Sequence, residues 1–282
     1  MDSFGRRLDA VFDSRGNLCC GIDPHAFLLS EWNLPDSAEG ALEFGLRVVE
    51  AAAATIGIVK PQIAFFERFG STGYAALEKV IAAARAAGLL VIADVKRGDV
   101  GSTVAAYGAA WLTPGSPLEA DAMTISAYQG VGSLTEPIAL AHSQGKGLFV
   151  LAATSNPESL PTQTAVISRG RFRGLTVVAS IVAEVDEINS ATGSIGSIGV
   201  VLGATNNPLD YQLSPGVLAN TPILAPGFGE QGALVRDVRS IYGDLSDNVI
   251  VNVGRSVLRS GPRGVLDVLR ATNSELEEGL AR

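Results

Sequence analysis

The sequence predicts an α/β protein, a (β/α)8 TIM barrel forming a single domain over residues 1–282, with a short N-terminal helix before strand one. Three observations predict it. Short apolar strands alternate with alanine-rich amphipathic helices from end to end, the candidate strands number eight, and no linker divides the 282 residues. Alternation of this kind points to a parallel sheet covered on both faces. An open doubly wound sheet competes with a closed barrel, and the strand count and a length near the ~250 residues common for barrels favour closure.

Each element carries its own signal. "NLCCGID" (Asn17 to Asp23) reads as strand one, and "GIVKPQIAFF" (Gly57 to Phe66) contains strand two. "LLVIADVK" (Leu89 to Lys96) is strand three, preceded by Gly88 as a helix stop. "DAMTISAY" (Asp121 to Tyr128), "GLFVLAAT" (Gly147 to Thr154), "SIGVVLGA" (Ser197 to Ala204), "TPILAP" (Thr221 to Pro226) and "NVIVNVG" (Asn248 to Gly254) follow as strands four to eight. Between strands two and three, Leu77, Val80, Ile81 and Ala84 recur at helical spacing and leave Glu78, Lys79 and Arg85 facing outward. "LTVVASIVAEVDEIN" (Leu175 to Asn189) is a second helix of the same type. The longest loop, "SNPESLPTQTAVISRGRFRG", follows strand five and reads either as a lid or as an insertion, with a short helix around Thr164 to Ser168.

Composition limits the function classes. Apolar residues make up 47% of the chain and charged residues 18%, enough for a packed core and too few charges for a disordered chain. A net charge of −8 argues against general nucleic-acid binding, which needs a basic stripe to displace counterions. A small anionic ligand is still compatible, because a few local cations can hold it. The two cysteines, Cys19 and Cys20, are adjacent and read as buried hydrophobes rather than a disulfide or zinc site. The N-terminal residues lack an apolar signal-peptide core, and no apolar run is long enough to span a bilayer, so the expected location is cytoplasmic.

The informative residues are charges placed where apolar strand should continue. Asp23 ends strand one, Lys60 interrupts strand two, and Asp94 and Lys96 end strand three on one face of it. Asp99 and Thr103 follow on the next loop or first helical turn. A single buried charge is costly, so these groups are expected to neutralise one another at the barrel mouth, the face where barrel active sites gather. An inert ion-pair network is the competing explanation, and convergence from three strand ends counts against it.

A second cluster lies near the C-terminal end of the sequence. "PGFGEQG" (Pro226 to Gly232) contains a formal GxGxxG, but too little chain follows for a dinucleotide-binding domain. Gly254-Arg255-Ser256 comes directly after strand eight. Loops after strands seven and eight commonly hold a phosphate in barrels, and Arg255 adds a forked donor there. His25, just past strand one, could touch a ligand, whereas His142 reads as a surface residue of a helix. Neither pairs with a nucleophile, which disfavours a catalytic triad. Asp94 and Asp99 could offer oxygens to a metal, but Lys96 between them repels a cation.

These residues resemble the orotidine 5′-phosphate decarboxylase family. Asp94-x-Lys96-x-x-Asp99 with Thr103 is similar to its signature, and the likeness extends to Asp23, Lys60, Ser155, "PGFGEQG" and "VGRS". "IVKPQIAFFERFG", "DVKRGDVGST" and "VLAATSNPES" resemble the longer bacterial branch. The resemblance implies decarboxylation of orotidine 5′-phosphate to UMP in pyrimidine biosynthesis, without metal or organic cofactor. It implies that Lys96 protonates carbon six of the pyrimidine and that Asp94 sits beside the substrate carboxylate and orients Lys96. Asp99 and Thr103 would reach the neighbouring subunit's site in a homodimer. Asp23 and Lys60 would hold the ribose, Ser155 the pyrimidine amide, and Gln231, Gly254 and Arg255 the phosphate. The loop after strand seven is short and the one after strand five long, so either could close over the substrate. A related group of magnesium-dependent sugar-phosphate enzymes shares the Asp-x-Lys-x-x-Asp motif but carries glutamate where this chain has Lys60. A barrel that binds a phosphorylated metabolite without turnover is a third reading.

Overall fold

A computed structural model describes residues 2–190, 194–213 and 216–281. The strands are β1 (Leu18–Ile22), β2 (Ile58–Pro61), β3 (Leu90–Arg97), β4 (Ala122–Ser126), β5 (Gly147–Ala153), β6 (Ile198–Leu202), β7 (Ile223–Ala225) and β8 (Val249–Val253). They close into one parallel barrel in chain order, and β8 pairs back to β1 with Leu18 opposite Val251 and Cys20 opposite Val253. Closure therefore prevails over the open-sheet alternative.

Alternate residues of each strand point inward. Low in the barrel, Cys19, Ile58, Ile92, Ala122, Phe149 and Ile250 belong to one buried apolar cluster. One step toward the C-terminal ends, the same inward faces present Lys60, Asp94, Thr124 and Asn252 beside Leu151 and Val201. The outward faces pack against helices such as Ala38–Ala53 and Gly70–Ala86, the latter burying Leu77, Val80, Ile81 and Ala84 as its spacing predicts. Cys19 and Cys20 are buried free thiols, and burial pushes the Cys19 pKa up to about 12.

The N-terminal helix α1 (Phe4–Arg15) seals the opposite end. Ser3 caps it by accepting from the Arg6 N–H, and Phe4 and Leu8 join the interior cluster with no exposed surface. Phe4 stands edge-on to Phe149 at 5.9 Å, and Arg7 pairs with Asp121 at 2.5 Å. Gly147 makes room for this plug, since a Cβ there would lie 2.4 Å from the Phe4 ring.

The loop after β5 differs from expectation. Its helical turns lie earlier, at Pro157–Ser159 and Leu160–Gln163, and Val166 instead pairs antiparallel with Thr176. Pro157 and Pro161 sit in first turns, where proline's fixed φ suits a helix start. The β-branched Val166 and Ile167 favour extended pairing instead, and Ile167 exchanges backbone hydrogen bonds with Gly174 and Leu175. Among the described residues no helix is long and apolar enough to cross a membrane.

Candidate active site

The C-terminal mouth of the barrel encloses a cavity of about 420 Å³, and its lining includes Asp23, Lys60, Asp94, Lys96, Ser155 and Gln231. Its construction starts from an irregularity between β3 and β4. Ala93 pairs with Met123, but the next pair is Arg97 with Ile125, so Asp94, Val95 and Lys96 face only Thr124. Such a bulge re-aims side chains at the rim of a barrel. Lys96 adopts φ 48°, a left-handed conformation that costs a lysine about 1–2 kcal/mol.

Asp94 is the hub. Its Oδ2 accepts from Lys60 Nζ at 2.9 Å and Gln62 Nε2 at 2.8 Å. Its Oδ1 accepts from Lys96 Nζ at 2.5 Å and Thr124 Oγ1 at 2.9 Å. Burial alone would raise the Asp94 pKa, but the Lys60 and Lys96 ammonium groups and their hydrogen bonds hold it well below the carboxylate range. Burial alone would likewise lower the Lys60 pKa, and Asp94 and Asp23 together drive it above the ordinary lysine value. Lys60 is buried, whereas the Lys96 side chain is 46% exposed toward the opening.

Asp23 differs in kind. Burial pushes its carboxyl pKa up in spite of Lys60, and among the described residues its Oδ1 has no hydrogen-bond partner. Asn252 Oδ1, also on the cavity wall, is buried and unpartnered too. Buried acceptors are almost always satisfied, so two facing one cavity mark where a ligand with O–H or N–H groups fits.

Beside this wall lie the two glycine-bearing turns. Gly227, Gly229 and Gly232 take φ of 115°, 76° and 107°, and Gly232 N–H donates to Gly229 O. The GxGxxG is therefore a tight turn between β7 and a short helical segment. Gly229 packs so close to the start of the helix Arg255–Leu258 that a Cβ would lie 2.4 Å from Ser256 Oγ. Gly254 caps that helix, and a Cβ on it would lie 3.0 Å from Asp23 Oδ2. The Arg255 guanidinium is half-buried and makes no ion pair or hydrogen bond among the described residues.

The structure thus gathers Asp23, Lys60, Asp94, Lys96, Ser155 and Gln231 around one cavity, whereas Gly254 and Arg255 are not part of its lining and only Gly254 abuts it, through Asp23. Asp99 and Thr103 do not line it. Asp99 Oδ1 accepts from the Val100 N–H at 2.8 Å, and Thr103 is exposed on the helix Gly101–Leu112. His25 packs against Phe27 and Phe65, with ring centroids 5.2 and 4.1 Å away, and does not line the cavity. His142 is exposed.

Gln62, Thr124 and Asn252 are site residues that the sequence reading passed over. Gln62 lies two residues after Lys60, and Asn252 interrupts the apolar run "VIVNV", so both carried the signal that exposed Asp94. Thr124 carried none, because threonine is at home in a strand. Another cavity of about 440 Å³, lined by Leu202, Tyr211, Leu218, Ile241 and Tyr242 among others, contains none of the expected site residues. Among the described residues no cluster of three His, Cys, Asp or Glu side chains forms a metal site.

Comparison with known proteins agrees with this geometry. The model of the Orotidine 5′-phosphate decarboxylase / HUMPS family matches residues 16–265. The orotidine 5′-phosphate decarboxylase of Streptomyces coelicolor is 50% identical over 263 residues, covering 93% of this chain and 92% of the relative. That of Salinispora tropica is 48% identical over 262 residues, with the same coverage. A crystal structure from Streptomyces avermitilis superposes with a TM-score of 0.93 at 46% identity, covering 100% of this chain and 97% of that one. The Leishmania donovani OMP decarboxylase gives 0.72 at 29% identity, covering 99% and 98%. Barrel, charged mouth and sequence likeness thus agree along almost the whole length, and the chain belongs to the orotidine 5′-phosphate decarboxylase / HUMPS family.

Proposed function

We propose that this chain decarboxylates orotidine 5′-phosphate to UMP, as the names of its relatives indicate for them. The observation that carries the reading is Asp94, a buried carboxylate that holds two ammonium groups at once in the cavity at the barrel's mouth. Loss of carbon dioxide leaves an electron pair on carbon six of the ring. Fixed positive charge stabilises that pair only if it is already in place when the charge develops. Lys96 supplies it at the mouth, and its N–H then passes a proton to carbon six, leaving an amine that regains a proton from water. Asp94 orients Lys96 beside the departing carboxylate.

The resemblance to the family supports the remaining roles. Asp23 takes a ribose hydroxyl on its unpaired oxygen, with Lys60 alongside. Ser155 meets the pyrimidine amide. Gln231, the Gly254 backbone and Arg255 hold the phosphate, and binding energy at that distant end closes the site around the ring. Asp99 and Thr103 serve the site of a second subunit in a homodimer.

Lys60 argues against a magnesium-dependent sugar-phosphate enzyme on the same barrel. Its ammonium occupies the Asp94 oxygen that a cation would need and repels the cation as well. The test is an ultraviolet assay of the purified protein with orotidylate, with and without EDTA. Turnover unchanged by the chelator is expected. No conversion of orotidylate overturns the reading, and a chelator-sensitive activity restored by magnesium points to the sugar-phosphate class.

A further inference from the structure

We infer that Thr124 is a positioning residue for the reaction proposed above, its hydroxyl holding the bulged segment Asp94–Lys96 in working geometry. The inference rests on the decarboxylase reading. Thr124 stands on the cavity wall with the apolar residues Leu151, Val201 and Leu224, so the position does not itself demand a hydroxyl. At 1% exposure its hydroxyl is costly unless satisfied. It is satisfied twice, accepting from the Lys96 N–H at 2.9 Å and donating to Asp94 Oδ1 at 2.9 Å.

Those two bonds join the parts that the proposed chemistry needs. Three residues of β3 stand against the single Thr124 of β4, and Lys96 within that bulge is left-handed. A lysine stays in such a conformation only where its surroundings over-determine it. Thr124 grips Lys96 by its own N–H and grips the carboxylate that the Lys96 ammonium contacts. One hydroxyl thereby fixes the backbone and the acceptor of the same lysine. Without it, the ammonium keeps its partner but loses the anchor that sets its reach toward carbon six.

The test compares Thr124→Val, which keeps the shape and removes the hydroxyl, with Thr124→Ser, which keeps the hydroxyl. With orotidylate as substrate, Thr124→Val is expected to lower kcat about 10- to 100-fold, the scale of a misplacement near 1 Å. KM, and the Kd for UMP measured by calorimetry, should stay within about three-fold, because no proposed substrate contact is removed. Thr124→Ser should recover most of the lost rate. Should Thr124→Val not fold, Thr124→Ala carries the same expectation, and failure of both makes the residue purely structural and overturns the inference. It is also overturned if the valine variant keeps its kcat, if serine falls as far as valine, or if the loss lies in UMP binding. Wild-type protein that leaves orotidylate unchanged would instead remove the decarboxylase reading itself, so the two failures are told apart.

Discussion

Asp23 carries an unpaired oxygen and a carboxyl whose pKa is raised by burial. A raised carboxyl pKa means that the fold disfavours the ionised form, so the charge weakens the empty protein at neutral pH. That burden falls away as pH drops through the raised value and the carboxyl protonates. Asp23→Asn should therefore raise Tm at pH 7, by about 2–4 °C per kcal/mol in a protein near this size, and the gain should shrink toward pH 4. The same variant should weaken UMP binding, because an amide is a poorer acceptor for a ribose hydroxyl. Differential scanning fluorimetry and calorimetry on one preparation measure both, and a Tm that falls at neutral pH contradicts the account. Asp94 has the opposite sign. Its depressed pKa contributes stability that is complete above the unfolded value and lost as pH falls through the folded one. At this scale the sequence was readable wherever a residue was out of character. Asp94, Lys96 and Lys60 stood out because a charge in an apolar strand needs a partner. Thr124 did not, because its role depends on a hydroxyl that any exposed or buried strand threonine also has.

At the scale of elements, each strand and its approximate bounds followed from apolar runs set between helices. The bulge did not follow. "VIADVKRG" gives no sign that two extra residues of β3 crowd against β4, since register depends on the partner strand and not on local preference. The helix expected at Thr164 to Ser168 was displaced for a related reason: Val166 found a partner in Thr176, ten residues away in sequence. Helix α1 was legible as a helix but not as a plug. Phe4 is fully buried against Phe149, and Gly147 leaves the space its ring occupies. Phe4→Ala should then open a void at the barrel's floor and cost about 3–5 kcal/mol of unfolding free energy. Denaturant titration checks this. A loss below about 1 kcal/mol would mean that α1 rests on the barrel without sealing it. Because the floor lies at the opposite end from Lys96, kcat of the folded fraction should be unaffected.

For the molecule as a whole, the fate of Asp99 decides how many chains make one site. Asp99 and Thr103 sit outside the cavity of their own barrel, on the rim that also exposes Val100 at 52% and Tyr128 at 87%. Large apolar side chains bared around a charged mouth suit a surface that another chain covers. In the proposed homodimer a two-fold axis would bring each Asp99 toward the partner's Lys96. Lys96→Ala and Asp99→Ala homodimers should each be inactive while remaining folded. Mixing them in equal amounts under conditions that exchange subunits makes about half of the dimers mixed at equilibrium. Each mixed dimer then holds one site with both residues intact and one with neither. Activity should return to about a quarter of the wild-type value, the product of those two halves. If Asp99 served its own barrel, every site in the mixture would lack one residue and none would recover. Native mass spectrometry can confirm that mixed dimers have formed. Mixed dimers that form and stay inactive would place Asp99 in its own subunit's site, and an Asp99→Ala homodimer that keeps its activity would put Asp99 outside the chemistry.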